Sequence, residues 1–195
     1  MPCAPQALEP QAQEAEVRSS TAAPGQDRKD AARAAQAAQG WLLLAAKDQT
    51  RATKEWEELK AALLDCGRTF AVVKMQPEVV WAAAGTKRME EADAYLAQVL
   101  HGGPVFVTLR PHRYYALVPA QTAERYEWKH QERKDAKFLG LGSFVAVPAP
   151  DLTEPDGARA YWSVPVGGAG ALCSADAVSQ LLAHGRYNLA RESGR

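Results

Sequence analysis

The chain is predicted to fold as a single α+β domain, a mainly antiparallel sheet with packing helices. Between residues 104 and 166 lie four strand-like runs, PVFVTLR, YYALVP, FLGLGSFVAVP and AYWSVPV, separated by Pro and Gly turn signals. Upstream of them, apolar residues recur at the spacing of one helical face in several stretches. A length of 195 residues suits one hydrophobic core and is short for two.

Residues 1–27 are rich in Ala, Gln, Pro and Glu, a composition too poor in apolar surface to offset chain entropy, and are read as a disordered tail. Residues 28–47 form a helical arm in this reading, with a break expected at Gly40 and the ordered domain beginning near Trp41. The globular domain is assigned to 48–190, leaving 191–195 to fray.

Within that domain Ala52, Trp56, Leu59 and Leu63 share one helical face, so a helix is predicted over 50–64. TFAVVKM at 69–75 reads as the first strand, being short, apolar and β-branched. Pro77 and Gly85 bracket a short helix at favoured N1 and C′ positions. In the next helix, 87–101, Met89, Ala92, Leu96 and Val99 form the stripe, while Glu90, Glu91 and Asp93 are placed towards solvent.

Val105, Val107 and Leu109 alternate along the following strand, and Pro111 with His112 makes the tight turn of an antiparallel hairpin. A short helix capped by Thr122 follows. Gly140 and Gly142 mark a bulge or bend in 138–147, which gives one strand or two. AYWSVPV is expected to pair with the strand before it, and a last helix capped by Ser174 is expected to stop near Gly185.

Composition narrows the function classes. The 23 basic and 23 acidic side chains balance, so nucleic-acid binding would need a local patch of Lys and Arg. Cys3, Cys66 and Cys173 are widely spaced and odd in number, which points to a reduced, cytoplasmic protein and gives no CxxC metal or redox motif. MPCAPQALEPQAQ has neither the basic nor the apolar region of a secretory signal, and WLLLAA is too short to span a bilayer.

Catalytic patterns find little support. His101, His112, His130 and His184 show neither HxH nor HxxxH spacing, and no metal or other cofactor is expected. Ser143 and Ser163 lack a G-x-S-x-G elbow, and the glycines at 167, 168 and 170 lack the spacing and Lys of a P-loop. Asp151, Glu154 and Asp156 sit in a Pro-rich turn, where such residues serve local hydrogen bonding.

The most suggestive surface is 110–137, where seven basic side chains face four acidic ones and Tyr114, Tyr115, Tyr126 and Trp128 are interleaved. Aromatic rings beside Arg and Lys are what single-stranded nucleic acids use for stacking and phosphate contact. The candidate ligand-binding residues are Arg110, His112, Arg113, Tyr115, Trp128, Lys129, Arg133 and Lys134. Strand alternation buries one of Tyr114 and Tyr115, and a mixed-charge solvated loop is the bland alternative.

The segments LLDCGRTFAVVKMQPEVVWAAAG, GGPVFVTLRPHRYYALVP, FLGLGSFVAVPAPDLTEPDG and AYWSVPVGGAGALCSADAV resemble small actinobacterial proteins related to the bifunctional DNA primase/polymerase N-terminal domain. The resemblance covers roughly 63–186 and implies an RRM-like sheet with helices. It also implies strand carboxylates for metal and a histidine for nucleotide phosphate. TFAVVKM has no carboxylate, and His112 is not assigned the phosphate role.

The function expected is a non-enzymatic binding or regulatory module on a degenerate primase-like scaffold, with nucleic acid or nucleotide as its partner. One alternative is a nucleotide-handling enzyme whose acids meet only in the folded chain. A second is a protein-binding module using the N-terminal helical arm.

Overall fold

The computed structural model describes residues 24–125, 128, 133–155, 157 and 159–194, with side chains from residue 32 onward. The tail assigned to 1–27 thus lies, up to residue 23, outside the described residues, as do Cys3, Tyr126 and His130. The fold is α+β with an antiparallel central sheet.

Helices α1 (Pro24–Leu43) and α2 (Gln49–Leu59) precede strand β1 (Ala61–Asp65). Strand β2 (Ala71–Met75) leads into helices α3 (Pro77–Ala84) and α4 (Met89–Val99), then into the hairpin of β3 (Val105–Leu109) and β4 (His112–Val118). A 3-10 helix (Ala120–Glu124), β5 (Ala136–Leu139), β6 (Phe144–Pro148), β7 (Ala160–Val164) and α5 (Ala175–Ser193) complete the chain.

The central sheet has the order β5-β2-β4-β3-β7, every pair antiparallel. Its first four strands follow the β5-β2-β4-β3 arrangement of a split βαββαβ unit, with β7 added outside β3. Alternation along each strand supplies both faces with apolar side chains. On one face Val73, Met75, Val107, Tyr114 and Ala116 pack under α3, α4 and α5. On the other, Val72, Phe106, Leu117 and Trp162 pack beneath α1, α2 and the separate β1-β6 ribbon.

Several expected elements are corrected. The predicted helix over 50–64 stops at Leu59, because Lys60 takes a left-handed conformation at φ 61° and caps it through Trp56 O. AALLD then becomes a strand, with Ala62 and Leu64 buried and β6 as its partner. No break occurs at Gly40, and α1 reaches the core through Ala38 and Leu42. The stretch 138–147 divides into β5 and β6, which belong to different sheets. Consequently β7 pairs with β3, not with the strand preceding it in sequence. His112 belongs to β4, and the turn is made by a cis Arg110–Pro111 bond. The 3-10 helix begins before Thr122, which is buried inside it and caps nothing.

The expected terminations differ in outcome. Gly85 ends α3 at φ 69°, a left-handed position where the absence of a Cβ removes the steric cost. Gly185 does not end the last helix, which continues to Ser193 through the residues expected to fray. There the glycine permits contact between helices: a Cβ on Gly185 would lie 2.1 Å from Val79 O on α3.

Buried titratable groups give the fold a pH signature. Burial pushes Cys66 up to about 11, helped by Asp65, and pushes Cys173 up to about 12. Tyr114 is also held up to about 12, chiefly by burial. These groups stay protonated in the fold while an unfolded chain releases protons near the ordinary thiol and phenol values of about 8.5 and 10. The stability these groups contribute is therefore intact below about pH 8 and falls as pH rises towards their folded-state values. The urea midpoint should drop between pH 8 and pH 11; an unchanged midpoint would contradict the burial of these groups.

Candidate nucleic-acid interface

The β1-β6 ribbon and its helices cover the part of the sheet face holding Val72, Leu117, Phe106 and Trp162. Along the same face, towards the β3–β4 turn, alternation places Lys74 on β2, Arg113 and Tyr115 on β4, Thr108 on β3 and Lys137 on β5. Lys74, Thr108, Arg113 and Tyr115 are half-buried, and Lys137 is exposed.

The five strands of this sheet contain Lys74, Arg113 and Lys137 and no Asp or Glu. None of the three cations pairs with a carboxylate among the described residues. Lys74 stands directly opposite Lys137 on one side and Tyr115 on the other. Like charges directly opposed across a strand pair are destabilising, so this arrangement suits an anion lying across the strands.

Arg113 sits beside them, its Nη1 donating to His112 O and its strand partner Thr108 donating through Oγ1 to Pro111 O at 2.7 Å. The Tyr115 ring stacks on Phe106, with centroids 4.6 Å apart and planes within 3°. Phe106 in turn meets Trp162 edge-on at 5.5 Å. The partly open tyrosine therefore rests on a buried aromatic column, which fixes its orientation.

The expected site residues separate. Arg113 and Tyr115 lie on this face. Arg110 is exposed at the adjoining turn, and Arg133 and Lys134 are exposed just before β5. His112 belongs to the opposite face, where it meets Trp81 edge-on at 5.1 Å. Trp128 also packs on that side, 6.1 Å from Phe138. Lys129 lies outside the described residues.

Lys74 was missed by the sequence reading, although its signal was present: it is the single charge in TFAVVKM, two residues from Val72 and hence on the same face. Asp93 needs a correction too. It turns from solvent to the sheet and accepts from Tyr161 Oη at 2.8 Å and from Ser163 Oγ. Burial, reinforced by Asp93, drives the Tyr161 phenol far above its ordinary value. Burial also lowers the His112 pKa, against the raising influence of Asp93 and Glu78.

Among the described residues no group of three His, Cys, Asp or Glu side chains is placed to hold a metal ion. No helix among them is long and apolar enough to cross a membrane. Comparison with family models, with curated proteins and with solved structures found no match to this chain.

Proposed function

We propose that the protein is a binding module for single-stranded nucleic acid, built on a primase/polymerase-like scaffold, with the uncovered part of the sheet as its binding face. The observation that carries this reading is the opposition of Lys74 to Lys137 beside Tyr115 and Arg113, on strands without a carboxylate. Such a face offers phosphates three cations and offers a base one half-buried ring.

The strand order supports the same reading. RNA-recognition domains stack bases on aromatic side chains of a four-stranded sheet. Here Tyr115 and Lys74 occupy the two central strands of the β5-β2-β4-β3 unit, on the face turned away from α3 and α4. The sheet strands supply cations and an aromatic ring but none of the carboxylates that metal-dependent phosphoryl transfer would use. Binding is therefore the chemistry this face favours.

The test is a salt titration with a fluorescent single-stranded oligonucleotide. Three phosphate contacts predict a slope of log K against log salt of about −2, from a contribution of about −0.7 per contact. Arg113→Ala or Lys137→Ala should each weaken binding and reduce the slope by about 0.7. Tyr115→Ala should weaken binding with little change in slope, because stacking is not a counterion effect. No binding at low salt, or a slope unchanged by both Arg113→Ala and Lys137→Ala, would remove the proposal.

A further inference from the structure

Beneath the opposite face of β4, three rings from two elements meet around unsatisfied polar atoms. Trp81 on α3 contacts His112 edge-on at 5.1 Å, and His112 lies 5.2 Å from Tyr114. Trp81 Nε1, His112 Nε2 and Tyr114 Oη are all buried, and among the described residues none of them makes a well-formed hydrogen bond, although the Trp81 indole N–H stands near enough to Tyr114 Oη to favour its phenolate. Tyr114 itself is fully buried. Neighbouring Asp93 is engaged by Tyr161 and Ser163.

Leaving one such group unpaired lowers the folding equilibrium constant by about tenfold, and three together would remove a large fraction of the stability of a domain of this size. Buried polar groups in native proteins almost always find a partner, which is often an internal water making about three hydrogen bonds. We propose that Trp81, His112 and Tyr114 form a binding site for one internal water molecule.

The donor and acceptor types match. The indole N–H only donates, the phenol both donates and accepts, and a neutral imidazole carrying its proton on Nδ1 accepts at Nε2. Trp81 N–H and Tyr114 O–H donate into the two lone pairs of the water, and one water O–H donates to His112 Nε2. Each of the three buried atoms then has a partner. The water ties α3 to the start of β4, the strand that carries Arg113 and Tyr115 on its other face.

A double-mutant cycle with a crystal structure tests this on the full chain. Tyr114→Phe and Trp81→Phe keep a ring in place while removing one hydrogen-bonding atom each. Each should raise the unfolding equilibrium constant about tenfold, since the remaining groups lose their shared partner. The double variant should fall clearly short of a hundredfold, because the second removal takes away a group the first had already orphaned. Density for a water within hydrogen-bond distance of all three atoms is the expected crystallographic result. Empty density there, additive effects, or a Tyr114→Phe protein at least as stable as the parent would overturn the proposal.

Discussion

Gly185→Ala should destabilise the protein by about 2 kcal/mol, even though alanine is the better helix former by about 1 kcal/mol in a helix interior. The reason is the contact between α5 and α3. The added Cβ would lie 2.1 Å from Val79 O and 2.8 Å from Val79 Cγ2. The first neighbour is backbone, so relief requires the helices to move apart and Val178, Leu181 and Leu182 to lose packing against the sheet. Gly40 supplies the control. It too lies inside a helix, but nothing stands within 4 Å of its Cβ position. Gly40→Ala should therefore stabilise by about 0.5–1 kcal/mol. Urea unfolding of the two variants should show opposite signs, and equal signs would mean that the α3–α5 contact is not as close as described.

That pair also shows why the sequence reading erred at helix ends. Gly40 predicts an interruption of its helix and Gly185 the end of its own, because an isolated glycine carries a helix penalty of about 1 kcal/mol. Packing outweighed it in each case: Leu42 is buried beneath the sheet, and Leu189, beyond Gly185, packs against the other core. Conversely, Leu63 matched a helical stripe with Ala52, Trp56 and Leu59, yet it lies on the exposed side of a strand. A short apolar run fits either period, and what decided it was the non-local pairing of Ala61–Asp65 with Phe144–Pro148, which no local pattern displays.

Apart from β1, the strands were legible, because alternation and Gly or Pro punctuation are local. Their order was not. AYWSV carries no mark of its partner, and the reading that joined it to the preceding strand failed once β6 had paired with β1. The binding face shows the same division. Arg113 and Tyr115 were identifiable as a basic and aromatic pair two residues apart. Their alignment with Lys74 and Lys137 depends on strand register across β4, β2 and β5. His112, adjacent to Arg113 in sequence, points by alternation to the other side of the sheet and into the cluster with Trp81 and Tyr114.

Trp162→Ala is expected to have the largest effect of any substitution considered, a loss of about 3–5 kcal/mol. Trp162 is among the largest fully buried side chains, and its indole donates to Ala149 O at 3.1 Å, fastening the segment after β6 to the central sheet. Removing the ring leaves a cavity and takes from that carbonyl one of its two donors, leaving it only the Leu152 N–H. Trp162→Phe should cost considerably less, since it retains most of the ring contact and loses chiefly the hydrogen bond, about 1 kcal/mol. The consequence reaches the binding face because Trp162 supports Phe106 at 5.5 Å and Phe106 supports Tyr115 at 4.6 Å. At a temperature where both variants remain folded, Trp162→Ala should weaken oligonucleotide binding as Tyr115→Ala does, with the salt slope preserved, while Trp162→Phe binds nearly as the parent. If Trp162→Ala stays folded and binds unchanged, the aromatic column does not orient Tyr115, and the tyrosine holds its place through strand geometry alone.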